Sequence, residues 1–306
     1  MGKIKEKLKT ALCWSLLGIS ALTAGGLIRE RIKYLEFMNK KEEYLKDYML
    51  ISLHNHSNSG GGDGIISVED YIEGAYNQRY SICSLSEHEQ PPELNAHDTL
   101  SKLEELANSD YKDFEIENIN DYTYKITKAD CEHVLYMLNG VEVTIQNDGR
   151  DAHVLGIGIK YVPDSTLNLE ELLKDLSKQG ALIGAPHPTA KLAFGLGEKA
   201  ITNYKEYFDF VELNGSLPFP VNLNYNRSAS ELGDKTGIPV VSFPDAHLSK
   251  LYFNKALVMV EKSEIFNEND IVGFLKYQFE NGNYKNVLAM TNNFELYQWI
   301  ILGTRQ

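Results

Sequence analysis

The chain has 306 residues, of which 43% are hydrophobic, and this length suffices for one large domain or two small ones. The formal net charge of −13 is uneven, because residues 1–49 hold 10 Lys and Arg against 6 Asp and Glu, whereas the remainder holds 20 against 37. An acidic body argues against binding to extended nucleic acid, which requires Lys and Arg to replace counterions. It leaves a small phosphate ester open, since bound metal ions would reverse the local field.

The N-terminus contains an uncharged stretch of 18 residues, 11–28, with the sequence ALCWSLLGISALTAGGLI. This length is just enough to cross a bilayer and predicts a single membrane-anchoring helix. A cleavable signal peptide and an ordinary buried helix are the alternatives. Lys and Arg flank both sides about equally, so the positive-inside rule assigns no orientation. Residues 29–48 are predicted to form a charged helical stalk, so that 1–48 make the anchor and stalk and 49–306 make the functional body.

The body alternates apolar runs with amphipathic ones. Strands are predicted near residues 49–53, 81–86, 137–145, 152–159, 181–185, 209–213 and 239–243, and helices at 68–79, 97–108, 168–179 and 222–236. Strands that alternate with helices predict βα units around a parallel sheet. The stretch 110–130 alternates polar and apolar residues around Asn120-Asp121 and predicts an inserted hairpin.

Histidines and carboxylates stand beside the predicted strand ends, and these side chains are the ligands that Zn, Mn and non-haem Fe prefer. Strand ends converge on one face of a parallel α/β barrel, so residues distant in sequence meet there. The sequence therefore predicts one polynuclear metal site. Its candidate ligands are His54, His56, Asp63, His88, Glu142, His153, His187, Asp245 and His247.

Among these candidates, two pairs of residues are separated by a single intervening residue. His54 and His56 project from the same face of an extended chain, as do Asp245 and His247, because strand side chains alternate. The remaining histidines, His97 and His133, fall outside the pattern and are interpreted as surface or partly buried residues.

Residues 49–253 resemble the polymerase and histidinol phosphatase (PHP) superfamily. The motifs that carry this resemblance occur in the family order over some 200 residues. They are His54-Asn55-His56, Asp63-Gly64, Ser86-Glu87-His88, Gly140-Val141-Glu142, His153-Val154-Leu155-Gly156, Ala185-Pro186-His187-Pro188, Glu212-Leu213-Asn214-Gly215 and Asp245-Ala246-His247.

The resemblance implies an α/β fold, a distorted (β/α)7 barrel of the PHP type, preceded here by the N-terminal hydrophobic helix. It also implies two to three divalent ions, Mn, Fe or Zn, at a trinuclear site. The first ion would take His54, His56, Glu142 and Asp245; the second Asp63, His88 and His247; the third Glu142, His153 and His187. Two departures from the family pattern are the longer spacing from His56 to Asp63 and the presence of Glu87 where Asp usually precedes the histidine.

The implied activity is metal-dependent hydrolysis of a small phosphomonoester or phosphodiester. Glu142, Asp245 and His247 are the candidate catalytic residues, and Lys191, Arg227 and Lys250 are candidate phosphate contacts. A nuclease or nucleotide phosphatase is one alternative. A non-catalytic, membrane-tethered metal or ligand sensor is another.

Overall fold

The computed structural model describes residues 32–59, 64–89, 96–109, 111–129, 131–215, 221–247 and 256–288. The predicted membrane helix at 11–28 lies outside these residues. Within the described part of the chain, no helix has both the length and the apolar character needed to span a bilayer.

The core of the protein is one mixed sheet of eleven strands. Nine of them follow the order β11-β10-β1-β2-β5-β6-β7-β8-β9, and β3 and β4 form a hairpin whose strand β4 pairs with β5. The strands are β1 Tyr48–Ser52, β2 Ile82–Glu89, β3 Phe114–Asn120, β4 Thr123–Lys128, β5 Cys131–Asn147, β6 Arg150–Ile157, β7 Leu182–Ala185, β8 Phe210–Asn214, β9 Val240–Phe243, β10 Ala256–Glu261 and β11 Tyr284–Leu288.

Helices lie between most of the strands. They are α1 at residues 32–47, α2 Val68–Asn77, α3 His97–Ala107, α4 Leu169–Gln179, α5 Glu198–Asn203, α6 Val221–Thr236 and α7 Ile271–Glu280. Short 3₁₀ turns occupy Lys191–Ala193 and Lys205–Tyr207. All seven strands and all four helices predicted from the sequence are confirmed, as is the inserted hairpin, which is β3 and β4. Strands β10 and β11 and helices α5 and α7 were not predicted.

The expectation of a wholly parallel sheet is wrong. The β1–β2, β2–β5, β7–β8 and β8–β9 pairs are parallel, but β6 runs antiparallel to both β5 and β7. A two-residue turn, Asp148-Gly149, joins β5 directly to β6. Both turn residues have positive φ, 51° and 76°, which is the geometry of a tight hairpin turn. The βα alternation therefore breaks at β6.

Side chains bring the two ends of the sheet together. The Val240 N–H of β9 donates to the Tyr284 hydroxyl of β11 at 3.1 Å. The Ser242 N–H donates to Asn286 Oδ1 at 2.8 Å, and Asn286 Nδ2 donates to the Val240 carbonyl at 2.8 Å. These contacts take the place of a backbone ladder, so the sheet is a nearly closed barrel compatible with the PHP type.

The α1 helix, which covers most of the predicted stalk, packs against this barrel. Phe37 is 5% exposed and belongs to the same apolar cluster as Tyr80. At the end of the helix, Lys262 donates from Nζ to the Leu45 carbonyl and from its backbone N–H to the Asp47 carbonyl. The helix prediction is confirmed, and the helix is part of the folded body.

Phe210 fills the interior of the barrel. Its ring is fully buried and meets the rings of Phe243 and Phe279 edge-to-face, with centroids 5.5 and 6.1 Å apart. On the adjacent strand β7, Gly184 pairs directly with Phe210, and a Cβ at Gly184 would lie 2.1 Å from the Phe210 ring. The ring therefore occupies the space that a side chain at Gly184 would otherwise take.

Replacing Phe210 with Ala should lower the free energy of unfolding by about 3–5 kcal/mol, because it removes a large ring from a site that cannot collapse around the cavity. Chemical denaturation of the full chain measures this. Tyr277→Ala is the control, since Tyr277 is 49% exposed and its loss should change stability by less than about 0.5 kcal/mol. Equal losses in both variants would contradict this account of the core.

Candidate metal centre

Backbone contacts hold the two alternating ligand pairs side by side. Asn55, whose side chain points away from its two histidine neighbours, donates to the carbonyls of Ser52 and Ser84 at 3.2 and 3.0 Å. It also forms a parallel bridge with Ala246, and the His56 N–H donates to the Ala246 carbonyl at 2.9 Å. His54 and His56 therefore face the same space as the residues on either side of Ala246.

Strand register places the next two ligands together. In the parallel β2–β5 ladder, His88 pairs directly with Glu142, so both side chains leave the same face of the sheet. Contrary to the sequence reading, Glu142 does not end its strand but lies in the middle of β5, which continues to Asn147. His153 lies on β6, opposite Thr144.

Five imidazole nitrogens surround the Glu142 carboxylate, which is 1% exposed. Three lie near Oε2: His54 Nε2 at 3.2 Å, His56 Nε2 at 3.4 Å and His88 Nδ1 at 3.3 Å. Two lie near Oε1: His153 Nδ1 at 2.8 Å and His187 Nε2 at 3.1 Å. The two oxygens thus divide the histidines into two sets, as a bridging carboxylate would.

Asp245 forms a second point of convergence. Its Oδ1 lies 3.5 Å from His54 Nε2, 3.3 Å from His56 Nε2 and 3.4 Å from His247 Nδ1. Its Oδ2 accepts a hydrogen bond from Asn214 Nδ2 at 2.8 Å. Asp245 therefore lies beside the first histidine pair, within 3.5 Å of a nitrogen of each.

Two of the ligand candidates have strained backbones. His187 has φ of 30° and Asp245 has φ of 47°, in the left-handed region that costs a residue with a Cβ about 1–2 kcal/mol. Only six non-glycine residues of the described chain have positive φ. Strain of this kind persists where the surrounding structure determines it and is concentrated at functional sites.

The donor set suits divalent ions. Four groups of three ligand atoms lie within 4.8 Å of one another among the described residues. The Nδ1 atom of His187 is buried and has no hydrogen-bond partner in that part of the chain, which leaves a lone pair for coordination. The groups are His54, His56 and Glu142; His56, His88 and His247; His54, His187 and Asp245; and His88, Glu142 and His153.

The pKa shifts of the buried residues also favour positive charge at this centre. Burial opposes ionisation of Glu142, but the imidazoles of His153, His54 and His88 hold its pKa well below the usual range. Burial also disfavours a charged His54, yet Glu212, Asp245 and Glu142 raise its pKa well above the usual value. The buried carboxylates thus require positive charge beside them, which either imidazolium or a metal ion provides.

Two of the three predicted cationic residues belong to the described part of the chain, and both are exposed. Arg227 lies exposed on α6 and pairs with Glu231 one turn along, with Nε and Oε1 2.9 Å apart. Lys191 is exposed on the 3₁₀ turn after His187. Asp63 and Lys250 lie outside the described residues. His97 is exposed and His133 is half-buried, as predicted.

The sequence analysis missed the role of Glu212, although it lies in a quoted motif. This fully buried carboxylate has Oε1 2.7 Å from His54 Nδ1, and its Oε2 accepts from the His187 N–H at 2.8 Å. Glu212 Oε1 is placed to accept a hydrogen bond from His54 Nδ1, an arrangement that would direct Nε2 of His54 toward an ion at the centre. The signal was the Glu-x-Asn spacing at the end of β8, where Asn214 binds Asp245.

Glu87 has a similar position behind His56. It is 1% exposed, and its Oε1 accepts from the Ser57 N–H at 2.7 Å. Its Oε2 lies 3.9 Å from His56 Nδ1, and burial raises the pKa of Glu87 to about 7. A second carboxylate therefore stands on the side of a histidine that faces away from the centre.

Comparison with solved structures identifies the architecture. A two-domain protein from Bacteroides vulgatus ATCC 8482, which contains a predicted PHP-like metal-dependent phosphoesterase, matches with a TM-score of 0.50 and 13% identity over 79% of this chain. The chain shares a fold with this protein, and its nearly closed barrel is compatible with the PHP type. It spans only 65% of the length of that relative.

Two further solved structures are similar. An amidohydrolase from Chromobacterium violaceum, with bound sulfate and no metal, matches 65% of this chain and 87% of its own, with 14% identity and a TM-score of 0.43. A protein from Bifidobacterium adolescentis ATCC 15703, proposed to be a metal-dependent phosphoesterase, matches 64% and 87%, with 11% identity and a TM-score of 0.41. No protein-family model matches the chain, and no curated protein matches it.

Replacing Glu212 with Gln should weaken metal binding by about 10–100-fold, as expected for a partner that orients a ligand. The Gln oxygen can accept from His54 or from the His187 N–H, but its NH₂ group then faces the other donor. Chelator competition on the full chain measures the affinity. Glu231→Gln, on the exposed face of α6, should leave it unchanged, and wild-type affinity in Glu212→Gln would refute the orienting role.

Proposed function

We propose that the protein hydrolyses a phosphate ester, a phosphomonoester or a small phosphodiester, with two to three divalent ions, Mn, Fe or Zn. The observation that carries this proposal is the convergence of five imidazole nitrogens on the two oxygens of buried Glu142. The fold shared with a protein that contains a predicted metal-dependent phosphoesterase supports it. The proposed ligands are His54, His56, Asp63, His88, Glu142, His153, His187, Asp245 and His247.

The grouping of nitrogens supports a division of these ligands among several ions. Glu142 Oε2, with His54 and His56, suits a first ion that Asp245 would also reach, since its Oδ1 lies 3.3 Å from His56 Nε2. Glu142 Oε1, with His153 and His187, suits a separate ion. His88 and His247 lie on either side of His56, where the remaining ion would be held.

The chemistry divides between the ions and the chain. Divalent ions at these residues would supply Lewis acidity, which lowers the pKa of water and neutralises charge on phosphoryl oxygens. Glu142 supplies the charge that holds two cations close together. His247, the most exposed of the eight candidate ligands that the structure describes, has 17% of its side chain accessible, and its Nδ1 lies 3.0 Å from the Asp245 carbonyl oxygen. The hydrogen on Nδ1 donates to that carbonyl, which leaves Nε2 to bind an ion or exchange a proton with substrate.

The body carries 20 Lys and Arg against 37 Asp and Glu, so it favours a small phosphorylated substrate over an extended polyanion. Lys191 is a candidate contact for the phosphate of such a substrate, because it lies exposed on the loop that follows His187. We propose it as the phosphate-contacting cation in preference to Arg227, which is already paired with Glu231.

Activity on a panel of phosphomonoesters and small phosphodiesters should require added Mn or a similar ion. Glu142→Gln should lower kcat/KM by roughly 10²-fold or more, because the variant keeps the shape but loses the charge shared by two cations. His97→Ala, at the exposed start of α3, should stay within a few-fold of wild type. Metal binding without turnover across the panel would favour a sensor over an enzyme, whereas full activity in Glu142→Gln would refute the proposed role of Glu142.

We also propose that residues 11–28 anchor the protein in a membrane as a single helix, because 18 uncharged residues are flanked there by Lys and Arg. The full chain should sediment with membranes and resist carbonate extraction. Leu16→Lys/Leu17→Lys should release it, since each Lys at a helix centre costs about 2.5–3.5 kcal/mol on insertion. Wild-type protein found wholly in the soluble fraction at its uncleaved mass would refute the anchor.

A further inference from the structure

One exposed aromatic ring stands against the metal-centre histidines. Phe194, on the loop that follows β7, is 46% exposed, and its ring centroid lies 5.1 Å from that of His153 at an angle of 35°. The His153 ring in turn contacts those of His88 and His187, with centroids 4.9 and 5.5 Å away. Phe194 therefore contacts His153 directly, and His153 separates it from His88 and His187.

Phe194 is one of seven large hydrophobic residues that are exposed in the described part of the chain, and it is the one in ring contact with a histidine of the cluster. Among the phenylalanines that the structure describes, Phe194 alone is exposed, while Phe37, Phe208, Phe243 and others are buried. A ring half in water gains little from burial within the chain itself. The exposed part of the ring is therefore accessible to a ligand bound beside His153.

The backbone fixes the ring in place. Phe194 has φ of 55°, in the left-handed region that a residue with a Cβ rarely adopts, and its carbonyl accepts from the His153 N–H at 2.9 Å. The next residue, Gly195, donates to the Ala190 carbonyl at 3.0 Å, and a Cβ there would lie 2.4 Å from the His187 carbonyl oxygen. The loop is thus folded tightly against the centre, and it presents the ring in a strained but well-defined position.

We infer that Phe194 forms an aromatic subsite beside the metal centre, which binds a planar aromatic or heteroaromatic group in the ester portion of the substrate. This inference rests on the proposed function, because it assumes that the phosphate binds at the histidine cluster. A phosphate held there would place its ester group next to the exposed face of the ring. Aromatic rings stack favourably in offset or edge-to-face geometry, and a preorganised ring loses little freedom on binding.

A purely structural role for Phe194 makes a different prediction. If the ring only covers His153, its removal would weaken the binding of every phosphate analogue to the same extent. A subsite instead distinguishes ligands by the group that they carry beside the phosphorus. Two phosphonates that differ only in that group therefore separate the two roles.

Titration calorimetry of the Mn-loaded full chain with phenylphosphonate and methylphosphonate tests the subsite. Wild type should bind phenylphosphonate about tenfold more tightly, the range expected for one aromatic stacking contact. Phe194→Leu, which keeps an apolar cover on His153, should bring the two affinities to within about twofold by weakening phenylphosphonate alone. Phe194→Trp should keep the preference.

Three results would overturn the inference: no preference in wild type, no measurable binding of phenylphosphonate, or an equal loss for both ligands in Phe194→Leu. Turnover separates this failure from that of the proposed function. Phenyl phosphate hydrolysed with equal kcat/KM by wild type and Phe194→Leu would refute the subsite alone. A Phe194-dependent preference in binding, with no phosphoesterase activity, would refute the proposed function alone.

Discussion

The rest of the structure depends on the burial of Glu142 among histidines. Moving a carboxylate out of water costs several kcal/mol unless opposite charge and hydrogen bonds surround it. Here five imidazole nitrogens lie within 3.4 Å of its two oxygens. A divalent ion would offset the same cost more fully, so binding of metal would contribute directly to the stability of the folded barrel. The fold and the proposed activity therefore share one electrostatic requirement.

Several strands of the barrel, and the loops that follow them, meet parts of that requirement. The β2–β5 ladder sets His88 beside Glu142, and the bridge from Asn55 to Ala246 sets the two alternating pairs beside each other. The short loops after β7 and β9 turn sharply, with positive φ at His187 and Asp245, to aim their side chains inward. The backbone strain at these two residues is maintained by the packed sheet around them, which leaves the ligands little freedom before any ion binds.

Much of this could be predicted from the sequence, because apolar runs set strands and alternate spacing sets faces. Period-two patterns do not report strand direction, and so β6 was expected to be parallel although the Asp148-Gly149 turn makes it antiparallel. Barrel closure was also not foreseen, since it depends on side chains of Tyr284 and Asn286 reaching β9 over more than 40 residues of sequence. Glu212 was quoted without a role, because its partners, His54 and His187, become neighbours only in three dimensions.

Charge balance connects the site with the number of ions it can hold. Four buried carboxylates, Glu87, Glu142, Glu212 and Asp245, lie at or directly behind the histidine cluster in the described part of the chain. Neutral imidazoles contribute no charge, so two divalent ions would balance these four groups when Glu87, whose pKa burial raises to about 7, is ionised. A third ion would bring excess positive charge, which Asp63 and the dianion of a bound phosphate would offset. On this argument, the third ion and the substrate stabilise each other.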